Sequence, residues 1–149
     1  MKKLSILLLM LFTFCANILS VNALDFTKKG SIEITLIEKE EQTKINGAEL
    51  TIYKIADAKE ENHNLVFEYV NELSDCKVSL DNLDNDNISE EINKCLNDSV
   101  KGISLVTEDG KVNFEDLDLG LYLVKQTNKV EGYSVITPYL VMIPRVIND

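Results

Sequence analysis

The sequence predicts a mainly-β protein: an antiparallel β-sandwich of about seven strands with one short helical insertion. Three observations carry that prediction. Apolar and polar residues alternate over short runs, as at Ile32, Ile34 and Leu36. Pairs rich in glycine and asparagine, such as Asn46-Gly47, separate the runs. A single segment, Ile88 to Val100, carries apolar residues at helical spacing.

In chain order, the first element is not part of the fold. Lys2 and Lys3 form a basic start, Leu4 to Phe14 is almost wholly apolar, and Val21-Asn22-Ala23 ends the stretch with a cleavable small residue. Residues 1–23 therefore read as a secretory signal peptide, and 24–149 as the mature domain. The apolar run is shorter than the ~20 residues a bilayer-spanning helix needs, and Asn17 and Asn22 interrupt its end. Cys15 follows Phe14 rather than a small residue, which argues against lipid attachment.

Ser31 to Ile37 alternates and reads as a half-buried strand. Asn46-Gly47 is a turn that tolerates positive φ, and Ala48 to Ile55 leaves it as a second strand. Ala58 to Asn64 is polar and aperiodic, whereas Leu65 to Val70 is β-branched and aromatic, a third strand. Asn87 or Ser89 is placed to cap a helix whose apolar positions are Ile88, Ile92, Cys95, Leu96 and Val100. Ile103 to Thr107, Glu108-Asp109-Gly110 and Lys111 to Phe114 read as a hairpin. Leu121 to Thr127 and Tyr139 to Ile143 supply the last strands, with the helix expected at one end or edge of the sandwich.

The chain has 149 residues and a formal net charge of -10, which becomes more negative once Lys2 and Lys3 are removed. That charge repels the phosphates of nucleic acids and of anionic membranes, so neither is an expected partner, and no membrane insertion is expected after signal removal. Export permits disulfides. Cys76 and Cys95 either pair or stay as separate thiols, because sequence does not say whether their Cα atoms come within ~7 Å.

No cofactor, metal or catalytic residue is expected. Two cysteines without nearby histidines fall short of a structural zinc site. Asp81, Asp84, Asp86 and Glu90 offer oxygen ligands, but their spacing lacks the central glycine and terminal glutamate of a calcium loop, and a solvated turn before the helix accounts for them. His63, the sole histidine, lies in a polar stretch with no neighbouring nucleophile motif. The carboxylates are many and dispersed. For a free-standing binding protein, the polar loops Lys59 to Asn64 and Asp81 to Asn87 are the candidate ligand surfaces.

One pattern goes beyond composition. Asp109-Gly110-Lys111-Val112-Asn113-Phe114-Glu115-Asp116-Leu117, followed by Gly120-Leu121-Tyr122-Leu123-Val124, Gly132-Tyr133 and Pro138-Tyr139-Leu140-Val141, resembles Gram-positive pilin and B-type collagen-adhesin repeat domains. Gly30-Ser31-Ile32 and Gly47 to Asp57 are similar to the opening strands of the same domain. With the leader just upstream and the helical excursion after the third strand, the chain resembles the N-terminal domain of a sortase-assembled pilin.

The resemblance implies an immunoglobulin-like or prealbumin-like sandwich, a non-catalytic role in a cell-surface pilus or adhesin, and other pilin subunits and a sortase as partners. It also implies exported placement at the cell surface or cell wall. Many such domains hold an internal isopeptide bond between a first-strand lysine and an asparagine, promoted by a buried acid. Here the lysine position falls near Leu36 and the acid position at Gln126. Lys39 sits in a charged run and Lys125 faces away from Val124 and Gln126, so no such bond is expected. The ending at Asp149, without a sorting signal or the lysine motif of polymerisation, is expected to reflect a truncated pilin.

Overall fold

The alternating runs fold into seven strands in two antiparallel sheets, in a computed structural model that describes residues 24–144. The leader, its cleavage site after Ala23, and the ending Arg145 to Asp149 lie outside the described residues. The strands are β1 (Lys29–Thr35), β2 (Glu49–Glu61), β3 (Asn64–Tyr69), β4 (Gly102–Val106), β5 (Lys111–Asp118), β6 (Gly120–Gln126) and β7 (Tyr139–Ile143). A helix, α1 (Ile88–Cys95), stands between β3 and β4 after a short 3-10 turn at Asn71–Leu73.

The smaller sheet is β1 against β5; the larger runs β3-β2-β6-β7, with β4 beside the first half of β2 on the edge whose second half holds β3. Alternation explains the layers. Ile32 and Ile34 of β1, Val112 and Phe114 of β5, Leu50 and Ile52 of β2 and Tyr122 and Val124 of β6 close one core between the sheets. The opposite faces of β2 and β6, through Ile55, Ala56, Leu121 and Leu123, bury a second core against Leu73, Ile88 and Ile92. β6 is therefore covered on both sides, which is why Leu121 to Val124 is continuously apolar.

The helix departs from expectation. It covers the outer face of the larger sheet instead of standing at an end or edge, since Ile88 and Ile92 complete that second core. It also ends at Cys95, as Leu96 turns to extended backbone. Asn87 is its N-cap residue, but no side-chain bond caps it; the Asn87 carbonyl accepts the Glu91 N–H at 3.0 Å.

Two further expectations are corrected. Most of the polar stretch Ala58 to Asn64 belongs to β2 and β3, joined by Asn62-His63 with φ of 51° and 65°, the left-handed pair of a two-residue hairpin turn. Register there comes from cross-strand partners such as Lys59 and Val66, and from the exposed Lys59–Glu68 ion pair.

The segments Ile103 to Thr107 and Lys111 to Phe114 do not form a hairpin ladder. β4 pairs with β2, β5 pairs with β1, and the turn between them carries only the isolated Glu108–Lys111 bridge. Buried Thr107 makes the switch between sheets. Its N–H donates to Ala48 O at 2.9 Å, its carbonyl accepts from Gly47 N at 3.0 Å, and its hydroxyl accepts from Ala48 N at 3.0 Å and donates to Ile45 O at 2.8 Å. Those bonds take the chain out of the larger sheet before Gly110, at φ +71°, turns it into β5.

Candidate functional site

The residues that carry chemistry are spread over the molecule. His63 stands exposed in the β2–β3 turn. Asp81, Asp84, Asp86 and Glu90 are exposed before and in α1, and among the described residues no three His, Cys, Asp or Glu side chains converge as metal ligands. Asp81 and Asp84 border an open groove of 510 Å³ whose other walls include Leu65, Phe67, Leu80, Leu83 and Met142.

The two positions onto which the resemblance lays the family's isopeptide residues, Leu36 and Gln126, carry neither an amine nor an acid. Leu36 packs against the core between the sheets. Gln126, 6% exposed, donates from Nε2 to Asn128 O at 2.8 Å and accepts the Ile136 N–H on Oε1 at 3.1 Å, so both halves of its amide are satisfied. Asn128 in turn ties the start of β2, accepting Glu49 N–H at 2.7 Å and donating to Gly47 O at 2.8 Å. Gln126 is the buried member of this amide cluster and Asn128 the exposed one, so the deletion of either Gln126 bond would strand a buried polar group. Lys39 is exposed, and Lys125 is half-buried on a groove with Thr51, Tyr53 and Ser104, on the face of β6 opposite Val124.

Lysine–carboxylate pairs do exist, and their exposure decides what they can do. Lys29 of β1 pairs with Asp118 of β5, and Lys54 of β2 reaches Asp57 at 2.6 Å and Asp118 at 3.8 Å. Lys44 bonds Asp109 at 2.7 Å. The hydrogen bond from Lys29, with the Lys54 and Lys29 charges beside it, holds the Asp118 carboxyl below its usual range; Lys44 does the same to Asp109. A carboxylate that stays ionised beside an ammonium makes an ion pair and no amide bond, because condensation needs the neutral amine and the protonated acid.

Cys76 and Cys95 come together, with Cα atoms 5.6 Å apart and the sulfurs joined, linking the chain after the 3-10 turn to the last residue of α1. Tyr69 stands beside them: its hydroxyl donates to Val78 O at 3.1 Å.

What the molecule offers to partners is surface. Along β4, Ile103, Leu105 and Val106 are all exposed. At the other end, Leu24, Gly30, Leu119, Ile143 and Pro144 line an open, mostly apolar hollow of 410 Å³ where the described chain begins and ends. The one sequence signal for the first of these is the uncharged run Gly102 to Thr107. Among the described residues, no helix is long and apolar enough to cross a membrane.

Comparison with known proteins gives this architecture relatives. A family model described as the SpaA prealbumin-like fold domain matches residues 30–146. Among solved structures, the full-length major pilin SpaD from Corynebacterium diphtheriae is similar at 22% identity with a TM-score of 0.53, over 84% of this chain and 27% of that one. The fimbrial protein FimP from Actinomyces oris matches at 15% identity with a TM-score of 0.49, over 82% of this chain and 26% of that one. The chain thus spans about a quarter of the length of either solved protein. No curated protein matches it.

Proposed function

Because the chain belongs to the SpaA prealbumin-like fold domain family, we propose that it is a non-catalytic structural module of a Gram-positive cell-surface pilus or adhesin. The observation that carries this reading is the family match over residues 30–146, which takes in every strand from β2 to β7 and nearly all of β1. The two-core, three-layer build supports it: most of the large apolar side chains are spent on cohesion, which suits a part that transmits load.

In this reading residues 1–23 are removed on export and 24–149 form one domain of a longer subunit. Cys76 and Cys95 are oxidised outside the cell, and other pilin subunits, joined by a sortase, are its partners. The solved pilin whose fold it shares is described as a major pilin, which fits a subunit role.

The test is made in the organism that encodes the chain. An antiserum raised against residues 24–144 should detect, in cell-wall extracts, a ladder that survives boiling in detergent and collapses when the sortase gene is deleted. A single band confined to the medium would overturn the reading in favour of a free-standing secreted binding protein.

A further inference from the structure

β4 is an edge strand without the usual protection. One edge pairs with β2 from Glu49 to Tyr53; among the described residues the other meets no strand. Exposed edges are ordinarily blunted by charge, proline or a bulge, but Gly102-Ile103-Ser104-Leu105-Val106 has none of these, and its register with β2 is unbroken. Ile103 is 53% exposed, Leu105 38% and Val106 51%.

The cause of this exposure is the unequal width of the sheets. Ile103 and Leu105 lie opposite Ile52 and Leu50, so they stand on the face that holds the inter-sheet core. The covering sheet has only β1 and β5, and it does not extend over β4.

We propose that this edge is a self-association surface, at which β4 of one molecule pairs antiparallel with β4 of a second copy. The charge pattern of the strand selects that occupant. Lys101 precedes the uncharged run and Glu108 follows it, both exposed, so the segment reads basic, apolar, acidic. An antiparallel pair reverses one copy against the other.

Centred on Ser104, the pair sets Ile103 against Leu105 of the second copy and places Lys101 at the end of the ladder that Glu108 of the second copy borders. The two-fold axis makes this contact twice. Ile103 and Leu105 of both molecules then share one face, and the two larger sheets become continuous. A parallel pairing would set like charges together. The inference does not depend on the fibre role, since it concerns the side of the domain and not its ends.

The contact is small, so the association is weak and is measured at high concentration, by sedimentation equilibrium of the full chain over a wide concentration range. The expected result is a monomer–dimer equilibrium weakened about tenfold by K101E, and likewise by E108K, because each places like charges together at both ends of the ladder. The double variant K101E/E108K reverses the pattern and should restore dimerisation. Ile103→Lys should abolish it, with an unchanged circular dichroism spectrum showing that the fold persists. A chain that remains monomeric throughout, a dimer indifferent to Ile103→Lys, or a double variant no better than its parents would overturn the proposal.

Discussion

The hydroxyl of Tyr122 in β6 donates a 2.7 Å hydrogen bond to the carbonyl oxygen of Asp118, the last residue of β5. The two residues bracket the point where the chain crosses from the smaller sheet to the larger. The bond therefore pins that crossing while the Tyr122 ring fills the core between the sheets.

This arrangement predicts an alkaline limit to stability. Burial pushes the Tyr122 phenol up to about 12, and the carboxylates of Asp118 and Asp57 push the same way. The folded state thus holds the proton more tightly than the unfolded chain, whose tyrosines titrate near ~10. The stabilisation is complete below the unfolded value and is lost as pH rises through the folded one, by on the order of 2 kcal/mol. Burial raises Tyr69 and Tyr139 too, with the same sign. Urea denaturation from pH 8 to pH 12 should show a flat plateau and then a fall. In Tyr122→Phe the fall should be shallower and the plateau lower by about 1 kcal/mol.

The Cys76–Cys95 pair makes a second prediction. With a sequence separation of 19, closing this loop stabilises by about 3 kcal/mol through the unfolded state. It fastens the last residue of α1 beside the second core, so its loss should loosen that face first. Peptides containing Cys76 and Cys95 should resist alkylation until a reductant is added. Cys76→Ala/Cys95→Ala should lower the unfolding midpoint, with amide exchange rising in α1 before β1 and β5. Free thiols in the native protein, or an unchanged midpoint, would refute this.

How far the sequence discloses this structure depends on the range of the interaction that decides each feature. β5 and β6 are legible because alternation in Lys111 to Leu117 and the apolar run Leu121 to Val124 are local signals of burial on one face and on two. Ile88 and Ile92 disclose α1 for the same reason. The separation of β4 from β5 is not legible, since Glu108-Asp109-Gly110 would also serve a hairpin. The choice rests on bonds from Thr107 to Ile45 and Ala48, 62 and 59 residues away. The bare face of β4 is hidden likewise, because it follows from the width of the opposing sheet and not from β4 itself. Gln126 could be marked as lacking an acid, but its tie to Asn128 and Ile136 belongs to the fold.

Close backbone approach at Gly120 supplies a third prediction. A Cβ there would stand 2.4 Å from Ala56 O, a backbone atom of the neighbouring strand that cannot rotate away. Gly120→Ala should cost about 2 to 3 kcal/mol by forcing β6 from β2. At Gly47 nothing lies within 4 Å, and only its φ of +78° resists a side chain. Gly47→Ala should cost about 1 kcal/mol. Equal losses in denaturant midpoints would show that strand contact at Gly120 is not the cause.

The buried amide of Gln126 yields the last prediction, and with it a test of the missing isopeptide chemistry. On the resemblance that lays the lysine and acid positions on Leu36 and Gln126, the intact mass of residues 24–149 should match their sequence less the hydrogens of the disulfide, with no loss of ammonia. Gln126→Glu puts a carboxylate where Nε2 now donates to Asn128 O, so two acceptors face each other at a buried side chain. The neutral-pH cost should be about 1 to 3 kcal/mol. Burial and the facing carbonyl both raise the folded pKa of the new carboxyl. Its protonated form can donate to Asn128 O, so the penalty should be fully felt above the folded value, shrink as pH falls through it, and be gone below the unfolded value near ~4.3. A penalty independent of pH would mean that Gln126 acts through packing, and that its bond to Asn128 contributes little.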